Sequence, residues 1–462
     1  MPKTFAYPAV LAGVVVISIA VGLEPIQIAS LTIFLGLITG TLMYWRFRLA
    51  FALCGIAALM AFGLITTGTL IQFAGFDIIL FLVGMMIVIG YLEERHFFEH
   101  LLERIVRGVG SNPTRLVVIL MLLAGLFAAL VDEVTSILFM TATILHLTSK
   151  LRISPVPFVI MIVFATNIGS SATVVGNPVG VLIALRAELT FMDFLRWATP
   201  ISITALAVTI PLSLRYFSSD IRRMGQMMET LKSIPNSTNT TDNPMERKSF
   251  KLPWMLFLGT IASLVAHGPV ESLLGLEKNA MLLGTALGAA GVTLFINRNA
   301  ARELVEKRVD WWTLSFFIFL FASVGTLKVT GITALIAKTL FDVSNGDDVI
   351  LFFLFTLITG IMSAFMDNIL AVATFIPIVY DMGELDVHIY PLWWGLLFGG
   401  TLFGNMTPIG STANIVAIGM LERQRLGHIT LLQWMKPGLI VSIPTLLLAM
   451  LLLYIQMPLM PR

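Results

Sequence analysis

The chain has 462 residues, of which 57% are hydrophobic and 12% are charged, and its formal net charge is +2. Soluble domains carry about 25% charged residues, so the composition excludes an ordinary soluble domain and indicates a polytopic protein in a lipid bilayer. No basic patch is interleaved with aromatic residues, so we expect no nucleic-acid partner. The single cysteine, Cys54, excludes an internal disulfide and disfavours a thiol-based metal site. We expect no metal and no other cofactor.

Eleven apolar runs approach the length of about 20 residues that a membrane helix needs. In chain order they are 8–23, 27–44, 50–65, 77–92, 155–185, 198–217, 254–272, 279–296, 312–328, 391–421 and 437–455. The start of the chain lacks a small-residue cleavage site, so we expect the first run to be a retained helix and not a signal peptide. The runs 155–185 and 391–421 are too long and too rich in glycine for simple helices, and we expect broken helices there.

Two further apolar segments each carry an aspartate near the middle: Asp132 lies within 114–149, and Asp367 lies within 348–382. Each segment is long enough for two half-depth helices. We therefore predict two re-entrant hairpins with the aspartates at their tips. Irregular backbone persists at membrane depth only where protein or a water-filled cavity satisfies its polar groups.

The positions of these motifs indicate an internal duplication. The two aspartates lie 235 positions apart. A Thr-x-Val/Ile-Gly motif follows each of them and begins at Thr173 in the first half and at Thr407 in the second. These two threonines lie 234 positions apart. A shared offset at two separate landmarks is what a duplication leaves in a sequence. Duplicated membrane halves with polar breaks at matching positions are typical of secondary transporters.

The basic residues predict the orientation of the chain. With the N-terminus in the cytoplasm and eleven spans, 23 of the 29 Lys and Arg residues lie on the cytoplasmic side, which is a strong positive-inside bias. The C-terminus is then outside. The first hairpin enters from the cytoplasm and the second from outside, so the duplication is predicted to be inverted. The remaining six basic residues are Arg186, Arg196, Lys278, Lys328, Lys338 and Arg462.

The predicted fold is all-α, with an inverted repeat of about five helices each, one extra N-terminal helix, two re-entrant hairpins and two broken helices. We expect an amphipathic arm helix over 93–112 and disorder over 235–242. The parts of the chain are 1–92 (N-terminal helix and scaffold helices of the first repeat), 93–217 (arm, cytoplasmic hairpin and transport helices), 218–253 (cytoplasmic linker), 254–328 (scaffold helices of the second repeat) and 329–462 (arm, outer hairpin and transport helices).

The tip aspartates are the first candidates for an ion-coupling site. An aspartate at the bilayer centre costs roughly 2.5–3.5 kcal/mol on insertion scales, so two in equivalent positions indicate a function. Asp132 and Asp367 can each exchange a proton or bind a cation, while Glu133 and Asn368 beside them can add oxygen ligands. The alternative is structural, because an aspartate can also cap the half-helix that follows it.

Polar side chains also cluster in the two broken helices. Hydroxyls, amides and free carbonyls suit a hard cation, whereas the N-termini of half-helices suit an anion or a polar neutral solute. The alternative is that these groups only satisfy the broken backbone. The candidate substrate-binding residues are Asn167, Ser170, Ser171, Thr173 and Asn177 in the first broken helix and Asn405, Thr407, Ser411, Thr412 and Asn414 in the second.

At these positions the chain resembles the ion transporter superfamily. The motifs 131–135 and 363–368 resemble the hairpin signatures of its ArsB/NhaD group, which includes arsenite efflux pumps, NhaD-type sodium/proton antiporters and the P protein. The stretches 167–178 and 404–414 resemble the broken-helix loops of the same group. The resemblance implies a static scaffold, a moving transport unit, an elevator motion and a homodimer. We expect the inner (plasma) membrane of a bacterium or archaeon.

The hairpin tips bear on the substrate. Related divalent-anion symporters carry Ser-Asn-Thr at both tips, whereas here Asp132-Glu133 and Asp367-Asn368 occupy them. Acidic tips would repel a dicarboxylate and suit coupling to protons or sodium. We therefore expect a proton-coupled antiporter that exports arsenite or antimonite, with sodium/proton exchange as the alternative and sodium-coupled anion symport third. An enzyme is disfavoured because no His-Glu-x-x-His motif is present. The inverted hairpins argue against a channel.

Overall fold

The computed structural model describes residues 3–107, 112–233 and 251–462, and the regular structure within these ranges is helical, without a strand. Proline at the first helical position starts α2, where its missing N–H is not needed. His96, with φ at 55°, separates α5 from α6. The first six helices are α1 (Lys3–Val21), α2 (Pro25–Met43), α3 (Arg48–Ala61), α4 (Thr67–Phe73), α5 (Phe76–Glu94) and α6 (Phe97–Arg107).

The span predicted over 50–65 corresponds to α3, which ends at Ala61, and the chain breaks before α4 begins at Thr67. Gly63 has φ at 68°, a left-handed conformation that glycine adopts without steric cost. Thr66 then caps α4, accepting a hydrogen bond from the Thr69 N–H at 3.2 Å. The run of threonines and glycine after the apolar segment is the local signal for this break.

The first hairpin and the first broken helix occupy the middle of the chain. Its helices are α7 (Pro113–Leu130), α8 (Glu133–Leu151), α9 (Val156–Ser170), α10 (Pro178–Arg186), α11 (Phe191–Asp193), α12 (Thr199–Tyr216) and α13 (Ser218–Ser233), and a π-helical turn (Phe194–Ala198) joins α11 to α12. Asp132 lies between the two arms of the hairpin, α7 and α8. The gap between α9 and α10 confirms the break predicted within 155–185.

The second half of the chain contains the second hairpin and the second broken helix. Its helices are α14 (Lys251–Leu274), α15 (Ala280–Ile296), α16 (Ala301–Arg308), α17 (Trp311–Val329), α18 (Ile332–Val343), α19 (Asp348–Phe365), α20 (Asn368–Gly383), α21 (Tyr390–Leu402), α22 (Thr412–Arg423) and α23 (Leu431–Gln456). Asp367 lies between α19 and α20. The gap between α21 and α22 confirms the break predicted within 391–421.

The two halves repeat one series of six helices. The starts of α5, α6, α7 and α8 each precede those of α17, α18, α19 and α20 by 235 positions. The starts of α9 and α10 precede those of α21 and α22 by 234 positions. The offset predicted from two motifs therefore extends over six consecutive helices.

Nine helices in the described part of the chain are long and apolar enough to cross a membrane. Large apolar side chains on their surfaces are exposed, such as Leu273 at 84%, as expected for contact with lipid. The chain is an integral membrane protein. The predicted arm over 93–112 corresponds to α6, and the first part of the predicted linker is α13. The predicted disorder over 235–242 lies outside the described residues.

Helix contacts form two groups, which also meet where α5 packs on α10, α17 on α20 and α14 on α11; α10 and α20 belong to the second group through their packing on α21. In the first, the scaffold group, α1 packs on α2, α3 packs on α2 and α17, and α15 packs on α5 and α14. In the second, the hairpin group, α7 and α8 pack on α9, α19 packs on α21, and α12 packs on α23. Matched glycines allow close packing in the hairpin group: Gly125 of α7 lies against the Ala165 carbonyl of α9, and Gly360 of α19 lies against the Gly399 carbonyl of α21.

Candidate functional site

Both tip aspartates cap the helix that follows them. Asp132 Oδ1 accepts hydrogen bonds from the N–H groups of Val134 at 2.7 Å and Thr135 at 3.0 Å, at the start of α8. Asp367 Oδ1 accepts one from the Ile369 N–H at 3.1 Å, at the start of α20. The capping role considered as the alternative is therefore present at both tips. It engages one carboxyl oxygen of each aspartate, which leaves the other oxygen for further contacts.

The second oxygen of Asp367 contacts the second broken helix. Thr412 Oγ1, on the first residue of α22, donates a hydrogen bond to Asp367 Oδ2 at 2.5 Å. Asp367 is only 2% exposed, whereas Asp132 is half-buried. The two equivalent aspartates therefore differ in their access to solvent in this structure.

Glu133 and Asn368 bring two unpartnered oxygens into the site. Glu133 is fully buried, and its Oε2 accepts a hydrogen bond from Ser170 Oγ at 3.3 Å. The Asn368 side chain lies beside Glu133. Glu133 Oε1 and Asn368 Oδ1 are both buried and have no hydrogen-bond partner among the described residues. Leaving a buried acceptor unpartnered costs about 1–3 kcal/mol, so a cation or a hydrogen-bond donor bound here would be stabilised.

Three carboxyl groups lie close together at the tips. Glu133 is within electrostatic range of both Asp132 and Asp367. Within the ranges that the structure describes, none of the three forms an ion pair with a basic side chain. Arg48 is within electrostatic range of Asp367, but its Nη2 donates to Thr313 Oγ1 at 2.5 Å. Like charges repel strongly in a low-dielectric interior, so a proton or cation among these carboxyls would relieve the repulsion.

The two broken-helix loops attach to the hairpins through the same hydrogen bond. Thr173 Oγ1 donates to the Ala129 carbonyl at 2.5 Å, and Thr407 Oγ1 donates to the Ala364 carbonyl. Each acceptor lies in the last turn of the first hairpin arm, just before the aspartate. The threonines that revealed the repeat in the sequence therefore hold each loop against its own hairpin tip.

Each loop also folds back on its own helix at a glycine. A Cβ on Gly176 would lie 2.2 Å from the Ser170 carbonyl oxygen, and one on Gly410 would lie 2.6 Å from the Gly404 carbonyl oxygen. Backbone oxygens cannot move aside as a flexible side chain can, so only glycine permits this approach. The glycines predicted to break the helices are thus required by the geometry of the loops.

Three asparagines join the two broken helices at the centre of the hairpin group. Asn167 Nδ2 donates to Asn405 Oδ1 at 2.7 Å and to Asn414 Oδ1 at 2.8 Å, while Ser411 Oγ donates to Asn167 Oδ1 at 3.1 Å. The three asparagines are at most 1% exposed. Their amides have protein partners, so they fix the relative position of the two broken helices.

The remaining candidates divide into two sets. Asn177 Nδ2 donates to Ser170 Oγ at 2.8 Å, which links the start of α10 to the hydroxyl beside Glu133. Ser171 lies apart, with its Oγ 2.8 Å from Ser202 Oγ of α12. The structure therefore gathers the other predicted residues at the tips and loops, whereas Ser171 faces α12.

Trp434 and Arg48 were missed by the sequence reasoning. Trp434 of α23 is fully buried, and its Nε1 donates to the Asn405 carbonyl at 2.9 Å, which satisfies a carbonyl at the helix break. Nothing in the local sequence distinguishes it from an ordinary membrane tryptophan. Arg48 begins an apolar helix and looks like an ordinary cytoplasmic flank. Its proximity to Asp367 depends on tertiary packing alone.

A family model described as citrate transporter matches residues 34–399 and 324–461, which include both hairpins and both broken helices. The chain belongs to this family. The citrate transporter family consists of transporters and not enzymes, and it lies within the ion transporter superfamily. The resemblance seen in the tip and loop motifs is confirmed at this level. The protein is a secondary transporter.

Similar proteins agree with this assignment. An uncharacterized transporter of Mycobacterium bovis is 30% identical over 413 residues, which cover 88% of this chain and 92% of that protein. The human P protein is 26% identical over 453 residues, covering 82% of this chain and 54% of its own length. The crystal structure of the Alcanivorax borkumensis YdaH transporter matches with a TM-score of 0.56 at 17% identity, covering 88% of this chain and 89% of that one. This last similarity shows a shared fold.

Proposed function

We propose that this transporter is a proton-coupled antiporter that exports arsenite or antimonite, and that the tip carboxyls bind proton and cargo in turn. The observation that carries the proposal is the cluster of Asp132, Glu133 and Asp367, in which Glu133 lies within electrostatic range of both aspartates. None of the three has a basic ion-pair partner among the described residues. A site that binds either a proton or the cargo, but not both, is the physical basis of antiport.

The chemistry of the cluster favours a cargo that is neutral and rich in hydroxyls. The neutral hydroxides of arsenic and antimony can donate hydrogen bonds, and Glu133 Oε1 and Asn368 Oδ1 are buried acceptors without a partner among the described side chains. Such a cargo has no negative charge for the carboxyls to repel. Citrate, which gives the family its description, carries several carboxylates and would meet that repulsion.

Sodium/proton exchange is the second candidate. It is supported by the same two unpartnered oxygens, Glu133 Oε1 and Asn368 Oδ1. Carboxylate, amide and hydroxyl oxygens suit a hard cation, and Ser170 Oγ lies 3.3 Å from Glu133 Oε2 at the edge of this position. A sodium ion would also relieve the repulsion among the three carboxyls.

The proposed movement is an elevator motion of the hairpin group against the scaffold group. The division of the helix contacts into these two groups supports it, as does the position of α6 and α18 in the chain, each between a scaffold helix and a hairpin arm. The proposal includes a homodimer in a bacterial or archaeal inner membrane, with the N-terminus in the cytoplasm and the C-terminus outside.

The test is transport by purified protein in liposomes with an imposed pH gradient. Arsenite, antimonite, sodium, lithium and citrate are offered separately, with protein-free liposomes as the control for leakage. The proposal predicts that arsenite and antimonite accumulate against their gradients only when the pH gradient is present. Accumulation of sodium or lithium alone would establish the second candidate, and accumulation of citrate alone would reject both.

A further inference from the structure

An ion pair joins the two groups of helices at the end of α10. Arg186 Nη1 donates to Asp77 Oδ2 at 2.7 Å, and Arg186 Nη2 donates to Asp77 Oδ1 at 3.1 Å. Asp77 lies in the first turn of α5 in the scaffold group, and Arg186 is the last residue of α10 in the hairpin group. Paired hydrogen bonds between a guanidinium and a carboxylate are stronger and more directional than a single one.

Other polar contacts also join the groups beside this pair. Asn279, in the loop before α15, donates from Nδ2 to the Ala184 carbonyl of α10 at 3.0 Å. Lys328 of α17 lies with its Nζ 5.0 Å from the centroid of the Tyr380 ring of the second hairpin. The hydroxyl of Tyr380 donates to the Arg186 carbonyl, so the ring contact and the ion pair belong to one connected set.

A cavity of about 420 Å³ lies next to these contacts. Its wall includes Asp77 and Lys328 from the scaffold group and Arg186 and Tyr380 from the hairpin group. The cavity separates the two groups over part of this level, where α5 and α17 also pack on α10 and α20. Polar contacts join them around a cavity, and water can replace such contacts when the groups separate.

We propose that the Asp77–Arg186 pair is a latch that holds the hairpin group in the position seen here and opens when that group moves. This inference rests on the elevator motion of the proposed function. A displacement of α10 along α5 by a few ångströms would break both hydrogen bonds of the pair. The partial exposure of the two side chains, 29% for Arg186 and 39% for Asp77, lets water solvate them when the latch opens.

The latch is tested by measuring the distance between the groups in the full chain. Spin labels are placed at Phe295→Cys in the scaffold group and Leu432→Cys in the hairpin group, both highly exposed positions, after Cys54→Ser. Labelled protein is diluted with unlabelled protein in liposomes. Asp77→Asn and Arg186→Gln should each shift the population away from the distance of this structure by about three- to tenfold. The double variant Asp77→Arg with Arg186→Asp, which exchanges the two charges, should restore the population at the distance of this structure.

Lys278→Gln is the matched control, because the Lys278–Glu188 pair at 3.4 Å also joins the two groups but is about two-thirds exposed on both sides. Its removal should change the population by less than about twofold. If the labels show two distances, but Asp77→Asn and Arg186→Gln leave the populations of both distances unchanged, the latch is overturned and the elevator motion still stands. A single distance in the unsubstituted protein and in every variant would overturn the motion and the latch together.

Discussion

Asn167 and Asn405 are hydrogen-bonded to each other in the interior of the hairpin group, Nδ2 to Oδ1 at 2.7 Å, although 238 positions separate them in the chain. The bond joins the first broken helix to the second. Because Asn167 also donates to Asn414 and accepts from Ser411, one side chain holds together the two halves of the hairpin group. We therefore expect the loss of the Asn167 side chain to destabilise the protein strongly.

Asn167→Ala should lower the free energy of unfolding by about 2–4 kcal/mol, because the substitution leaves buried acceptors on Asn405 and Asn414 without their shared donor. Thermal unfolding in detergent measures the effect. Thr374→Ala is the control, since Thr374 Oγ1 donates to the Leu370 carbonyl of its own helix at 2.8 Å. Equal melting temperatures for the two variants would contradict the joining role of Asn167.

Gly176→Ala and Gly410→Ala should both prevent correct folding of the broken-helix loops. The added Cβ atoms would lie 2.2 Å and 2.6 Å from backbone oxygens, so the loop must open. We expect low yields of monodisperse protein by size-exclusion chromatography. Gly259→Ala, whose added Cβ has no atom of the described residues within 4 Å, should behave like the unsubstituted protein. Normal yield and transport from both loop variants would show that the loops differ from this structure.

Asp132→Asn and Asp367→Asn should abolish transport driven by a pH gradient while the protein stays folded. Asparagine caps a helix about as well as aspartate, so the hairpin tips keep their capping hydrogen bonds while each loses its exchangeable proton. Transport in liposomes and thermal unfolding are measured together. Asp342→Asn, an exposed carboxylate on α18, is the control. Gradient-driven rates like those of the unsubstituted protein in both tip variants would exclude the aspartates from coupling.

Glu133→Gln should stabilise the protein and inactivate it. The substitution removes one of three neighbouring carboxyls, and its new amide group can donate to the unpartnered Asn368 Oδ1. We expect a gain of about 1–2 kcal/mol in unfolding free energy at alkaline pH, where the repulsion is greatest. Glu384→Gln, at an exposed position, should leave stability unchanged. A Glu133→Gln protein that is less stable at alkaline pH would show that the carboxylate is favourably paired.

The hairpins and breaks could be predicted because Asp132, Asp367, Gly176 and Gly410 stand out in apolar surroundings. Each has a local physical reason for its position, as a helix cap or a close backbone approach. The contact of Asn167 with Asn405 could not be predicted, since no periodicity relates residues in two helices that meet only through tertiary packing. The offset between the two threonines indicated the internal repeat, but it did not indicate which helices pack against each other.

The same limit applies to charged residues. Arg186 was predicted only as an external basic flank, yet it forms a paired contact with Asp77, which is 109 positions away. The break between α3 and α4 was missed because the apolar run continues past Gly63 to Ile65, and hydropathy does not report backbone conformation. The local sequence thus predicts the helices, their breaks and the candidate site residues. The contacts that these residues make depend on tertiary packing.

The central claim is that cargo and protons move in opposite directions, and the most direct measurement is proton movement driven by the cargo. Liposomes containing the protein, a pH-sensitive dye and arsenite are diluted into arsenite-free buffer, with protein-free liposomes as the leakage control. The proposal predicts that the lumen acidifies as arsenite leaves, and that Asp132→Asn and Asp367→Asn abolish the change. An alkaline shift, or no change in pH while arsenite leaves at a protein-dependent rate, would contradict proton-coupled antiport.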